Sequence, residues 1–242
     1  MQIRFYMKFE IDEQIFEKFG GLAVGVLLVK NADNKGNPEE IQSMVSEKEK
    51  EIRSNFNTET LSQNPKIEVW RKAYSVFGGK PKKNKSSVES LYRLVLNGND
   101  LRHINKLVDI YNFISLKHLL PVGGEDLDKV KDYITLTFAG TTEALVLLLG
   151  EKEERLPKEG EVIYKDAISA VCRRWNWREA DRTKLTEETK NCILVIEGLD
   201  PVTREEVESA IKELKDLVEK FCGGNITYFI LDEANRKIEF QV

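Results

Sequence analysis

The sequence has few of the residues that build metal sites, disulfide frameworks or membrane spans. It contains two histidines and three cysteines in 242 residues, and the cysteines form no Cys-x-x-Cys pair. This shortage predicts no metal, no cofactor and reduced thiols in a cytoplasmic protein. The longest apolar run, Leu22–Val29, is far too short to cross a bilayer, and no hydrophobic signal region follows Met1–Lys8. We therefore expect no membrane partner.

Positive charge is not in excess either, since the formal net charge is -4. Without a global positive field, any contact with nucleic acid must come from a local basic patch. The chain is 41% hydrophobic, which is enough to bury one substantial core. We expect a monomer with a single domain, residues 1–242, composed of an N-terminal α/β part (1–75) and a second part (76–242).

Hydrophobic patterning predicts an α+β fold, with mixed and antiparallel sheets flanked by helices. Apolar or alternating runs predict strands at Ile3–Phe9, Leu22–Lys30, Tyr133–Phe138, Ala144–Leu149, Glu161–Val171 and Asn191–Glu197. The chain is predicted to close with a hairpin formed by Thr227–Leu231 and Lys237–Val242.

Start and stop signals predict the helices. The last helix has the clearest signals, because Thr203 and Glu206 form a capping box and Gly223-Gly224 ends it. Four earlier helices are predicted. One starts after the side-chain cap Asn37, one covers Ile67–Val76, one starts at the capping box Ser86–Glu89, and one covers His103–Leu119.

No nucleophile stands out in the sequence. There is no Gly-x-Ser-x-Gly elbow, and no Cys/His pairing is supported. Cys172 ends an apolar strand and is expected to be a small core residue. An enzyme with this sequence would position water rather than form a covalent intermediate.

Two polar features follow one another in the middle of the chain. Asn105, Asp109 and Asn112 recur at helical spacing and form one polar row, while Ile104, Leu107, Val108 and Tyr111 are expected to face inward. Gly123-Gly124, followed by Asp126, allows a close backbone approach to a ligand. The alternatives are a solvated helix face and a plain helix-to-strand turn.

An arginine- and tryptophan-rich segment is the strongest sign of a ligand site. Cations beside flat aromatic rings suit a ligand with phosphates and bases, so the predicted substrate-binding residues include Arg173, Arg174, Trp175, Asn176, Trp177 and Arg178. The alternative is a loop that packs onto the body of the protein. Upstream, four lysines in Lys80–Lys85 form a basic loop that is either simply mobile or touches an RNA backbone.

The sequence resembles the editing domain of the bacterial phenylalanyl-tRNA synthetase β subunit, which is built from that subunit's third and fourth modules. The resemblance covers about half of the chain, roughly Ser86–Leu199, and rests on Ser86-Ser87 through Leu91, Leu107–Asn112, Pro121, Asp126–Lys129, Thr189 and Glu197. The strings Gly123–Asp128 and Cys172–Asn176 are similar to those of freestanding proteins that carry this domain.

The resemblance implies an aminoacyl-tRNA deacylase that acts in trans on a tRNA acceptor end carrying an amino acid. In the synthetase the domain hydrolyses tyrosine wrongly attached to tRNA for phenylalanine. A freestanding relative removes canavanine, an arginine mimic, from tRNA for arginine. Asn112 matches the asparagine of the editing pocket, but Gly123 replaces its histidine and the segment Arg173–Asp181 is rewritten. These departures argue against tyrosine as the substrate.

On this hypothesis Asn112, with Asp109 or Asn105, orients the ester and the attacking water, and the Gly123-Gly124 amides stabilise the oxyanion. Within the rewritten segment, one tryptophan stacks on the terminal adenine, arginines hold phosphates, and Glu179 or Asp181 receives a basic substrate side chain. Two other functions stay open: a non-catalytic tRNA-binding module and a binder of a small amino-acid-like ligand.

Overall fold

The computed structural model describes residues 6–241, which form two β-sheets with helices packed around them. The larger sheet is mixed, because β1 pairs with β4 in parallel and its other neighbours are antiparallel. Its strands follow the order β10-β1-β4-β5-β6-β7, with β1 at Tyr6–Ile11, β4 at Tyr133–Phe138, β5 at Val162–Lys165, β6 at Ala170–Arg173, β7 at Arg178–Glu179 and β10 at Lys237–Gln241. The predicted α+β class with mixed and antiparallel sheets is confirmed.

The smaller sheet is antiparallel throughout, in the order β3-β8-β2-β9. Its strands are β2 at Ala23–Lys30, β3 at Val122–Asp126, β8 at Cys192–Gly198 and β9 at Asn225–Leu231. β2 reads as a continuous apolar run because both of its faces are buried. Val24 and Val26 pack towards the larger sheet, whereas Leu27 and Val29 pack towards the helices.

Six α-helices complete the described part of the chain. They are α1 at Glu13–Lys18, α2 at Glu39–Asn55, α3 at Pro65–Val76, α4 at Ser87–Leu96, α5 at Lys106–His118 and α6 at Arg204–Cys222. α6 packs directly on β2, where a Cβ at Gly25 would lie 3.2 Å from Ile211. No helix among residues 6–241 is long and apolar enough to cross a membrane.

Several predicted strands and one predicted helix cap are confirmed. The strands at Leu22–Lys30, Tyr133–Phe138 and Asn191–Glu197 are β2, β4 and β8. Thr203 and Glu206 form the predicted capping box at the start of α6. Of the predicted strand Ile3–Phe9, residues 6–9 belong to β1, and residues 3–5 lie outside the described residues.

The predicted closing hairpin is wrong. β9 pairs with β2 in the smaller sheet, whereas β10 pairs with β1 in the larger one. The turn at Asp232, whose carboxylate accepts from the backbone N–H groups of Ala234 and Asn235, carries the chain from one sheet to the other. Val242, the predicted end of the hairpin, lies outside the described residues.

Other boundaries also differ from the prediction. Glu161–Val171 is two strands, because Asp166 accepts from the N–H groups of Ile168 and Ser169 and turns the chain between β5 and β6. Ala144–Leu149 makes only isolated bridges, and Gly123-Gly124 lies inside strand β3 rather than in a turn.

The starts of α2 and α4 also differ from the prediction. Asn37 is not the cap of α2, since Pro38 holds that position without a side-chain hydrogen bond. Ser86 caps α4 as predicted, but Glu89 forms ion pairs with Arg71 and Arg93 instead of completing a capping box. A buried glutamate beside two guanidinium groups satisfies its charge better through them than through one backbone N–H.

Candidate functional site

A cavity of about 320 Å³ lies where α4 and α5 meet strands of both sheets. Tyr111 and Asn112 of α5 line one side, and β3 and β8 of the smaller sheet line another. β6, β7 and the turn that joins them close the cavity from the larger sheet. Ser90 and Leu94 of α4 also line it and are exposed, so the mouth of the cavity lies at this face of α4.

Residues far apart in the sequence thus come together at one place. The predicted site residues that line the cavity are Asn112, Gly123, Gly124, Trp175, Asn176, Trp177, Arg178 and Glu179. The predicted site residues that do not line it are Asn105, Asp109, Asp126, Arg173, Arg174 and Asp181.

The polar row on α5 divides into two parts. Asn105 is the N-cap of α5, where its side chain accepts from the Val108 N–H. Asp109 is buried and accepts from the His103 ring and the Ile104 N–H, so both residues hold the start of the helix. Asn112 alone reaches the cavity.

Ile104 is 56% exposed, which contradicts its predicted inward orientation. The reason is that the chain at this position belongs to the loop before the cap of α5 rather than to the helix.

Asp126 and Asp181 are engaged outside the cavity. Asp126 accepts from the Thr189 hydroxyl at 2.7 Å, and this bond fastens the end of β3 to the loop before β8. Asp181 pairs with Lys184 at 2.7 Å across one turn of chain. Neither carboxylate is therefore placed to receive a substrate side chain in the cavity.

Arg173 is an internal structural residue in this fold. It is 3% exposed and makes two hydrogen bonds, at 2.7 and 2.9 Å, with the equally buried Glu161. Because its guanidinium is buried and its charge is paired with Glu161, Arg173 is not placed to hold a phosphate. Arg174 lies 3.7 Å from the same carboxylate and stacks over the Trp177 ring, 4.3 Å from its centroid.

The two tryptophans of the rewritten segment have opposite environments. Arg174 and Trp175 adopt left-handed backbone angles, with φ of 47° and 65°, which turns the Trp175 side chain into the core. There the ring packs edge-on against Trp70 and Phe19 and is fully buried, so it cannot stack on a base. Trp177 is only partly buried, with Arg174 and Arg178 over its ring.

Glu197 is the hub of a buried hydrogen-bond network at the cavity. Its carboxylate accepts from the Tyr164 hydroxyl at 2.5 Å, the Trp175 indole at 2.6 Å and the Asn176 amide at 2.7 Å. Burial raises the pKa of Glu197, although these three donors partly oppose the shift. The network fixes the turn between β6 and β7, and with it the position of Trp177 and Arg178.

Glu179 reaches across the cavity to the backbone of β3. Its Oε1 accepts from the Gly124 N–H at 3.2 Å. A Cβ at Gly123 would lie 2.8 Å from the same oxygen, so glycine leaves room for the carboxyl group. Burial raises the pKa of Glu179 to about 7, and the Gly124 hydrogen bond partly opposes this shift. The Gly124 amide therefore binds a carboxylate of the protein and is not open to a substrate oxyanion.

Glu125 is a cavity residue that the sequence reasoning missed. It is 7% exposed, and its Oε2 has no hydrogen-bond partner within residues 6–241. Burial, followed by the charge of Glu179, raises the pKa of Glu125 well above its usual range. No local signal marked it, because the sequence predicted no strand here, and only the strand Val122–Asp126 places Glu125 on the same face as Gly123.

The chemistry of the cavity does not include a thiolate or a metal cluster. Cys172 lines the cavity, but burial raises the pKa of its thiol well above its usual range, which keeps the group neutral. Throughout the described part of the chain, no three His, Cys, Asp or Glu side chains are arranged to hold a metal ion.

The basic loop Lys80–Lys85 lies next to the mouth of the cavity. It directly precedes α4, and the Ser87 N–H at the start of that helix donates to the Asn176 carbonyl at 3.0 Å. Lys80, Lys82 and Lys83 are exposed or partly exposed. The loop therefore adds positive charge at the entrance to an otherwise acidic cavity.

Three comparisons with known proteins gave matches. The β subunit of phenylalanine–tRNA ligase from Fusobacterium nucleatum subsp. nucleatum is 31% identical over 119 residues, which cover 47% of this chain and 14% of the ligase subunit. The chain thus matches only a small part of that relative's length. An N-terminal fragment of the phenylalanyl-tRNA synthetase β subunit from Pyrococcus horikoshii has a crystal structure that covers 91% of this chain and 50% of the fragment, with a TM-score of 0.46 and 14% identity. The family model of the B3/4 domain matches residues 69–223, and the chain belongs to the B3/4 domain family.

Proposed function

We propose that this protein is an aminoacyl-tRNA deacylase that works in trans, in the cytoplasm, on a mischarged or non-proteinogenic aminoacyl-tRNA. The observation that carries the proposal is one cavity, within a B3/4-domain fold, that joins Asn112 to Trp177, Arg178 and Glu179. The identity with a phenylalanine–tRNA ligase β subunit supports a tRNA-linked substrate.

The size of the cavity suits the aminoacyl end of such a substrate. Its volume of about 320 Å³ is near the lower end of small-molecule pockets, which hold about 300 to 1,000 Å³. An amino acid esterified to a ribose fits this space, whereas the rest of a tRNA must stay outside. The substrate would enter past Ser90 and Leu94, at the face of α4 that the basic loop precedes.

The charged residues of the site also suggest which part of the substrate lies inside the cavity and which part stays at its entrance. Glu125, Glu179 and Glu197 line the interior, which makes it unfavourable for phosphates. Positive charge lies at the entrance instead, on the basic loop Lys80–Lys85 and on Arg178, whose side chain is 40% exposed. Phosphates of the acceptor end would bind there while the amino acid occupies the acidic interior.

Asn112 has the features of a substrate-orienting residue. It is partly exposed, it lines the cavity, and its amide makes no side-chain hydrogen bond with the described residues. A carboxamide offers a donor and an acceptor to an ester carbonyl and an attacking water. Trp177, the more accessible tryptophan of the segment, would contact the terminal adenosine together with Arg178.

A second candidate is a non-catalytic module that holds aminoacyl-tRNA. The observation in its favour is that Glu179 already occupies the Gly124 amide, which removes one predicted oxyanion donor. Such a module would bind charged tRNA at low salt without shortening the lifetime of the ester.

The test measures amino-acid release from a panel of correctly and incorrectly charged tRNAs. The panel includes canavanyl-tRNA for arginine and tyrosyl-tRNA for phenylalanine. We expect wild type to hydrolyse one mischarged species, and Asn112→Ala to lose about 10- to 100-fold in rate because the ester is no longer oriented. The matched control is Asn99→Ala, whose side chain is exposed and does not line the cavity.

Three outcomes separate the candidates. Hydrolysis by wild type and Asn99→Ala, lost in Asn112→Ala, supports the deacylase and this placement of the site. Hydrolysis that survives in Asn112→Ala supports the activity and contradicts the role of Asn112. No hydrolysis of any species, with charged tRNA still bound at low salt, contradicts the deacylase and favours the binding module.

A further inference from the structure

Two glutamates from different strands share the interior of the cavity. Glu125 lies on β3, Glu179 lies on β7, and both line the space in which the proposed substrate would sit. Glu125 is buried, and its Oε2 has no partner among the described residues. The Thr183 hydroxyl also interacts with this carboxyl and opposes the rise of its pKa, and that hydroxyl has no other partner among the described residues. A buried carboxyl with so few partners, on a residue that lines the cavity, keeps the capacity to hold and transfer a proton.

Glu179 is held in a defined position against β3. The Gly124 N–H fixes its Oε1, and the missing side chain of Gly123 leaves space for that oxygen. Its Oε2 makes no hydrogen bond with the residues described here. One oxygen is thus anchored, while the other can contact a water molecule in the cavity.

The environments of the two carboxyl groups favour different protonation states. Burial raises the pKa of both groups, to about 7 for Glu179, and the nearby charge of Glu179 adds to the rise for Glu125. The Gly124 N–H stabilises the ionised form of Glu179, whereas Glu125 Oε2 accepts no hydrogen bond from the described residues, so Glu179 is the better base and Glu125 the better acid. Two titratable groups whose environments separate them in this way are suited to act as base and acid.

The other groups that face Glu125 and Glu179 do not remove the difference between the environments of these two carboxyl groups. Burial raises the pKa of Tyr111, Tyr164 and Cys172, so these three neighbours stay neutral at pH 7. The charge of Asp166 adds to the rise in the pKa of Glu125. Glu197 shares its charge with three donors, and Arg178 is paired with Glu151. Arg182, which lowers the pKa of Glu125, is itself bound to Asp166 at 2.9 Å.

We propose, on the basis of the deacylase function above, that Glu179 is the general base and Glu125 the general acid of ester hydrolysis. Glu179 takes a proton from water as the water oxygen bonds to the ester carbonyl carbon, and the π electrons of the carbonyl move onto its oxygen. When these electrons return to form the carbonyl again, the bond from the carbon to the ribose oxygen breaks, and Glu125 gives its proton to the ribose oxygen. The products are the free amino acid and a tRNA hydroxyl, and transfer of a proton from Glu179 to Glu125 restores the pair.

The experiment compares kcat and KM of Glu179→Gln and Glu125→Gln with wild type, on the tRNA species that wild type hydrolyses. We expect kcat to fall at least about 100-fold for Glu179→Gln and at least about 10-fold for Glu125→Gln, with KM nearly unchanged. The control is Glu153→Gln, whose side chain is 81% exposed and should leave kcat unaltered.

A fourth variant tests position rather than charge. Gly123→Ala keeps both carboxyl groups but places a methyl carbon 2.8 Å from Glu179 Oε1, which is too close, so the flexible glutamate must move. We expect it to lower kcat about 10-fold or more without a comparable change in KM.

The pH profile distinguishes an acid–base pair from a merely structural one. After subtraction of spontaneous hydrolysis, the wild-type kcat should rise through about pH 7 as Glu179 ionises and fall at higher pH as Glu125 loses its proton. Glu179→Gln should lose the rising limb, and Glu125→Gln should lose the falling limb.

Failure of this inference differs from failure of the deacylase proposal. If wild type is active and Glu179→Gln keeps its kcat, the acid–base assignment is overturned while the deacylase stands. A raised KM confined to arginine-like substrates, with kcat intact, also overturns it and makes Glu179 a binder of a cationic side chain. If wild type hydrolyses no species of the panel, the deacylase proposal fails and this inference fails with it.

Discussion

The buried Glu179 carboxyl should cost the protein stability once it ionises, and Glu179→Gln should remove that cost. Burial raises its pKa from 4.5 to about 7. A tenfold change in an ionisation constant corresponds to about 1.4 kcal/mol, so full ionisation costs the folded state about 3 kcal/mol. Because the side chain retains some contact with solvent, we expect about 2 kcal/mol in practice.

The sign of the pH dependence follows from the direction in which burial moves this pKa. A carboxyl whose folded pKa is raised holds its proton longer in the folded than in the unfolded state. Its contribution is therefore most favourable below about pH 4.5 and is lost as the pH rises through about 7. Removing the Glu179 charge also lowers the pKa of Glu125, which changes stability in the same direction.

Urea unfolding of wild type and Glu179→Gln at about pH 5 and about pH 8 measures the effect. From about pH 5 to about pH 8, the free energy of unfolding of Glu179→Gln should rise by about 2 kcal/mol relative to that of wild type. Glu153→Gln, at an exposed position, should show no such gain. A difference between Glu179→Gln and wild type that stays constant with pH would refute the buried, perturbed state of this carboxyl.

Two further predictions concern the surroundings of the cavity. Glu161→Ala should lower the free energy of unfolding by about 3 to 5 kcal/mol, as measured in urea, because it leaves the buried Arg173 charge without a partner. Replacing the four lysines of the loop Lys80–Lys85 with alanine should make tRNA binding less dependent on salt. In a plot of log affinity against log salt concentration, measured by filter retention, the slope should become shallower by about one for each phosphate contact that is lost. An unchanged slope would show that the loop makes no such contact.

Local signals in the sequence were sufficient for the elements that depend on them. α6 begins directly after its cap Thr203 because a capping box is a local device, and it packs on β2 through a regular apolar face. β2 could likewise be read from an unbroken apolar run that follows a pair of glycines. The polar start of α5 was misread because Asn105 looked like part of a helical row, whereas it is the residue that caps the helix.

Long-range pairing could not be read from the same signals. β9 and β10 look like a hairpin in sequence, yet each joins a different sheet, because residues on β1 and β2 from the start of the chain provide their partners. The environment of Trp175 likewise depends on two left-handed backbone positions and on Glu197, a residue of another strand. Glu125 escaped notice for the same reason, since its burial requires the packing of β3 against β8.

The measurement that tests the central claim most directly is the lifetime of the ester in canavanyl-tRNA and the other mischarged species of the panel, with and without the protein. The account predicts that wild type shortens the lifetime of one mischarged species, that Asn99→Ala does the same, and that Asn112→Ala and Glu179→Gln do not. Lifetimes that stay at the spontaneous value for every species, under conditions in which wild type demonstrably binds the charged tRNA, would contradict it.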